Sequence, residues 1–142
     1  MGAYVNGNLL PGEQLVAEAK LHWAMFVGPV LLFLFGLLTG PLKGFFITLA
    51  VVWSVYRGLV YLTTELAITN KRVIAKTGII RRNAVEISNS KVEGITYHQG
   101  IVGRIFGYGS ILVRGTGIGQ VPIPFIAQPD HFKHEVGCVL HA

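Results

Sequence analysis

Two hydrophobic periodicities divide this chain. Leu15, Ala17, Ala19 and Leu21 alternate with Val16, Glu18, Lys20 and His22. That is period two, the pattern of a half-buried strand, and the turn pair Pro11-Gly12 precedes it. Residues 23–62 abandon alternation and carry only Lys43 and Arg57 as charged side chains. Such a run is too long for one membrane span of about 20 residues. Gly40-Pro41-Leu42-Lys43 punctuates it. The pattern predicts two short helices, near Trp23–Thr39 and Gly44–Leu62, forming a transmembrane hairpin. A soluble-core hairpin would show a polar stripe, which is missing. A secretory signal fits poorly, because 22 residues including Glu13 and Glu18 precede the run.

Alternation resumes after residue 62. Thr63–Thr69 reads as a strand with Leu66 and Ile68 on one face, and Asn70-Lys71 as a two-residue turn. Arg72–Thr77 is the next strand and Gly78 ends it. Ile79–Ile87 and Lys91–His98 follow, separated by Ser88-Asn89-Ser90. Gly100–Gly109 is a long Gly-rich connection with room for a helical turn. Ser110–Arg114 and Ile118–Pro124 flank the turn Gly115-Thr116-Gly117, and Pro122 and Pro124 assign the last strand to an edge. The period then changes. Pro129 and Asp130 suit a helix start, and Phe132, Val136, Val139 and Leu140 fall on one helical face. The count is seven strands and a C-terminal helix, with the hairpin after the first strand.

The composition fits a membrane protein. Hydrophobic residues make up 51% and charged residues 13%, where soluble domains carry about 25% charged. That excludes a disordered chain. The single Cys138 excludes an intrachain disulfide and a cysteine-based zinc site. Lys20, Lys71, Arg72, Lys76, Arg81 and Arg82 flank the outer ends of the two apolar segments, and Lys43 alone lies in the turn. This bias predicts a multi-pass protein of the cell (plasma or inner) membrane with both termini cytoplasmic. Trp23, Trp53, Tyr56 and Tyr61 are candidates for an aromatic belt at the membrane interface. Arg57 joins them as a residue that snorkels to the headgroups rather than as part of a charged pathway.

Several segments resemble a known family: LLPGEQ at 9–14, TTELAITNKRVIAKTGII at 63–80, EISNSKVEGI at 86–95, GIVGRIFGYGSILVRGTG at 100–117, and the terminal helix. The chain is similar to the bacterial pleckstrin-homology (PH) domain family, in its YdbS-like membrane-flanking type. The resemblance implies an α+β membrane protein. In it a two-helix transmembrane hairpin is inserted after strand 1 of a PH-like seven-stranded antiparallel sandwich capped by a C-terminal helix. Residues 1–22 and 63–142 would form the cytoplasmic PH-like domain and 23–62 the hairpin. The family implies no particular biochemical activity.

Enzyme motifs are missing. Gly115-Thr-Gly117-Ile-Gly119 lacks the flanking strand and helix of a dinucleotide loop, and residues 100–109 lack the Gly-Lys-Ser/Thr of a P-loop. His131 and His134 are spaced for a shared metal but have no third ligand in pattern. Glu65, Glu86 and Glu93 read as solvent-facing strand residues, and Cys138 as a small packed one. No catalytic residue, metal or cofactor is expected. Residues 63–115 carry eight Lys/Arg against three Glu. Nucleic acid is a poor match, since no stacking aromatics are interleaved. Anionic lipid is the better one. The predicted lipid contact is the connection between the third and fourth strands, with Lys76, Ile79, Ile80, Arg81 and Arg82. The expected function is a membrane-anchored interaction module binding anionic lipid, a partner protein or copies of itself. The alternative is a small scaffold subunit of a larger membrane assembly, packed through Gly28, Gly36, Gly40 and Gly44.

Overall fold

The computed structural model describes residues 3–141. Seven strands form two antiparallel sheets. The first is ordered β1 (Leu15–Ala19), β2 (Glu65–Thr69), β3 (Arg72–Thr77) and β4 (Asn83–Ser88). The second is ordered β5 (Val92–His98), β6 (Tyr108–Gly115) and β7 (Gly119–Ala127). Leu66, Ile68, Val73, Ile87, Ile111, Val113, Ile123 and Ile126 fill the space between the sheets. Helix α5 (Pro129–Leu140) buries Phe132 and Val136 in the same core. Pro122 stands opposite Leu112 on β7, an edge strand, where a missing N–H costs no ladder bond.

Between β1 and β2 the chain forms a helical pair. A 3-10 turn, Trp23–Phe26, leads into α2 (Val27–Leu38), and α3 (Lys43–Thr63) returns. The two helices touch along their length because glycines let them. A Cβ on Gly28 would stand 2.9 Å from the Trp53 ring, and one on Gly36 would stand 2.9 Å from Phe46 Cβ.

The expected two-helix transmembrane hairpin is corrected here. Among the described residues only Gly40–Thr63 is long and apolar enough to cross a membrane, and Trp23–Leu38 is too short. The shorter arm reaches about 25 Å, against a hydrocarbon core of about 30 Å. The run of 23–62 divides unequally because Gly40, at φ 55, ends the first arm early.

Four local expectations also change. Strand β2 is buried on both faces, not one. An N-terminal helix, α1 (Ala3–Gly7), lays Val5 against Ala67 and Ile74 on the outer side of the sheet. Glu65 too is buried rather than solvent-facing, and its Oε2 has no hydrogen-bond partner. Strand β4 begins at Asn83, so Ile79–Arg82 is loop. Gly78 sets that turn: its φ is 106, and a Cβ there would fall 2.0 Å from the Arg81 carbonyl oxygen. Cys138 is exposed, not packed, with Sγ 3.9 Å from His134 Nδ1.

Candidate functional site: the helical-pair end of the sandwich

Register places the site. Ala19 pairs with Leu66, Glu65 with Lys76 and Thr77 with Asn83. The end of β1, the start of β2 and the β3–β4 loop therefore lie at one end of the sandwich, where the helical pair is attached. A bridge between Leu21 and Ile126 brings β7 to the same end. The His22 N–H donates to the Phe125 carbonyl at 2.6 Å and the Ala127 N–H to the Lys20 carbonyl at 2.8 Å. These bonds clamp the exit of β1 onto the second sheet. Phe125 adopts φ 58, unusual for a bulky side chain, and its ring stacks on Tyr108 at 5.7 Å.

The β3–β4 loop meets α3 across a groove of about 580 Å³, lined by Tyr56, Leu59, Val60, Thr63, Ile79, Pro122 and Pro124 among others. Both isoleucines of the tip line this groove, but Ile79 is half-buried and Ile80 is 96% exposed. Arg81 and Arg82 beside it are exposed. Lys76 does not join them: its Nζ sits 4.4 Å from the Tyr4 ring centroid, toward α1. The apex thus presents one bare apolar side chain and two guanidinium groups.

The aromatic candidates take different places. Trp23 is exposed and meets the Phe106 ring edge-to-face at 6.0 Å. Tyr56 is exposed on α3 beside the groove. Tyr61 is half-buried against Phe26, with ring centroids 6.1 Å apart. Trp53 covers Gly28. Arg57 lies between aromatic rings, 5.9 Å from Trp53 and 5.2 Å from Phe125, and its buried Nε lacks a hydrogen-bond partner. It faces the junction with β7, and cation–π attraction stabilises it there.

At the far end of the sandwich, bases counted in the sequence serve structure. Arg72 grips Glu13 with Nε at 2.9 Å and Nη2 at 3.0 Å, also bonds Glu86, and donates to the Asn8 carbonyl at 2.8 Å. Lys71 Nζ donates to the Pro11 carbonyl at 3.1 Å. The Thr69 hydroxyl donates to Glu13 at 2.7 Å, and the Leu10 N–H donates to it at 2.7 Å. Burial alone would raise the Glu13 pKa. The hydrogen bonds from Arg72, Leu10 and Thr69 outweigh it and take the carboxyl from 4.5 to about 2. The same pairing raises Arg72. Sequence reasoning missed this cluster, because Glu13 and Arg72 are far apart in the chain and match no motif.

Among the described residues, no group of three or more His, Cys, Asp or Glu could hold a metal. His131 Nδ1 instead lies 3.6 Å from Glu135, one helical turn on. Helix α4 (Ile101–Phe106) was also underread. Its ends are marked by Gly100 and by Gly107 at φ 78. The apolar pairs at i, i+4 were visible, but nothing in the sequence said that they face outward.

A family model described as bacterial PH domain matches residues 23–134, most of the chain, without distinguishing a membrane-flanking type within it. No curated protein and no solved structure matches.

Proposed function

The chain belongs to the bacterial PH domain family, and from that premise we propose that it is a membrane-anchored interaction module that contacts anionic phospholipid. PH domains are in general interaction modules, not enzymes, and that coarse class comes with the family. One observation carries the rest. The helical pair leaves large apolar side chains bare on its outer surface, among them Leu31, Leu34, Phe35, Leu38, Phe45, Val52 and Leu62. Exposed patches of this extent mark a membrane or a large interface. Helix α3 supplies the anchor, and α2 covers one side of it for part of its depth. The sandwich then lies against one leaflet. The base-rich end of the pair favours the cytoplasmic leaflet.

The loop apex gives the lipid preference. Ile80 enters the headgroup layer while Arg81 and Arg82 meet phosphate, each base contributing about 1 kcal/mol near an anionic surface. The scaffold alternative has less support, because Gly28 and Gly36 are already occupied by Trp53 and Phe46 within the chain.

Membranes carrying the full chain should retain it through an alkaline carbonate wash. Native mass spectrometry after gentle extraction should find anionic lipid bound in preference to zwitterionic lipid. Arg81→Gln with Arg82→Gln should abolish that preference. Release by carbonate would remove the anchor. Equal retention of both lipid types would leave a protein partner as the ligand of the module.

A further inference from the structure

We propose that α4 is a second bilayer-contacting element, an interfacial helix whose outer face enters the same leaflet as the helical pair. The proposal rests on the membrane reading above and adds to it a surface that no charge cluster announces. Helix α4 sits at the helical-pair end of the sandwich, between the end of β5 and the start of β6. Tyr108, just after it, stacks on His22 at 5.5 Å. The Gly107 carbonyl accepts the Gln128 N–H at 2.9 Å, which fixes the helix's C-terminus to the start of α5.

The helix is turned outward by one glycine. Gly103 is its only buried residue, and a Cβ there would stand 2.4 Å from the Tyr108 carbonyl oxygen. The backbone therefore lies flat on β6. The i, i+4 pairs Ile101/Ile105 and Val102/Phe106 project away from the sandwich. Ile101 is 82% exposed and Ile105 74%. This reverses the usual arrangement, in which a short surface helix buries its apolar stripe.

Continuity identifies the occupant as the phospholipid bilayer. Phe106 meets Trp23 edge-to-face, and Trp23 opens the bare apolar surface that runs into α2. The α4 stripe and the helical pair thus make one apolar surface. Arg104 is the only charge on the helix, and no acidic residue occurs between His98 and Arg114. An interfacial helix of this kind places apolar side chains at the acyl boundary and its base among phosphates. With Ile80 beside α3 and α4 beside Trp23, the sandwich would rest on two apolar feet.

The test uses the full chain with Cys138→Ser, reconstituted in vesicles of phosphatidylcholine and phosphatidylglycerol. A polarity-sensitive fluorophore is attached in separate variants to Ile101→Cys, Ile105→Cys, Leu31→Cys on α2, and Ser90→Cys at the far end. Lipids bearing a nitroxide near the headgroup serve as quencher. Quenching at 101 and 105, with none at 90, supports the proposal. If 31 is quenched while 101 and 105 are not, the α4 contact is overturned and the anchor survives. Unquenched but water-shielded emission at 101 and 105 would overturn it in favour of a protein cover. If 31, 101 and 105 all escape quenching, both readings fall. Quenching at 101 and 105 alone would keep α4 as a lipid contact and remove the helical pair as the anchor.

Discussion

At the scale of single residues, the Glu13–Arg72 pair most needs its partner. Glu13 is enclosed, and removing one member of a buried pair strands the other, typically costing about 3–5 kcal/mol. Arg72 is partly open to water, so Glu13→Gln should fall at the lower end. The change would read as a lower urea midpoint for the full chain in detergent. The pH dependence has a definite sign. The folded carboxyl titrates near 2 and the unfolded one near 4.5. The stabilisation is therefore complete above about 4.5 and is lost as pH falls toward 2. Glu13→Gln should flatten that acid limb. An unchanged acid limb would show that Glu13 does not dominate it. Glycines give an equally local contrast. Gly36→Leu would drive a side chain against Phe46 and the Ile47 backbone, whereas a Cβ on Gly44 meets nothing within 4 Å. Gly36→Leu should lower the melting temperature. Gly44→Ala should leave it unchanged or raise it, since Ala gains about 1 kcal/mol over Gly inside a helix.

At the scale of elements, the terminal helix is a structural part of the sandwich. Phe132 is 3% exposed, and truncating a buried Phe costs about 3–5 kcal/mol. Phe132→Ala should reduce thermal stability by a large fraction of a small domain's total. A melting curve unaltered by Phe132→Ala would mean that α5 is not a core element. This helix was legible because its period changes sharply after Pro129. Strands β3 and β5 were legible because turn residues bound them closely. Strand β2 was read as one-sided because alternation reports only what its own residues are, and the second cover comes from Val5, far away in sequence. The start of β4 was misplaced because Ile79 and Ile80 have strand-like side chains, while the backbone at Gly78 commits the segment to a loop. The break between the two arms was legible from Gly40-Pro41-Leu42-Lys43, and the first arm ends at Leu38, one residue from the expected Thr39. Its shortfall as a membrane span was obscured because apolar content is continuous through residues 23–62. The apolar tip and the bases beside it could be read from the strand order. How far Ile79 is covered and Ile80 left bare could not, because that depends on where α3 lies.

At the scale of the whole molecule, one end of the sandwich gathers what a membrane would hold and the other gathers what holds the chain together. The helical pair, the Ile80 apex and α4 lie at the first; the Glu13–Arg72 cluster lies at the second. This polarity makes the orientation testable. The first arm is too short to cross, so the turn near Leu42 should stay inside the bilayer, with the pair entering it from the sandwich's side. In a Cys138→Ser background, a membrane-impermeant thiol reagent added to intact cells should label neither Leu42→Cys nor Ser90→Cys. Lysis should then expose Ser90→Cys to the same reagent. Both substituted residues are exposed, so failure to label at 42 would reflect the membrane and not the fold. Labelling at 90 in intact cells would put the sandwich outside. Labelling at 42 alone in intact cells would mean that the pair crosses despite its short first arm. Without a crossing, the contacts of Ile80 and α4 supply a larger share of the attachment to that single leaflet.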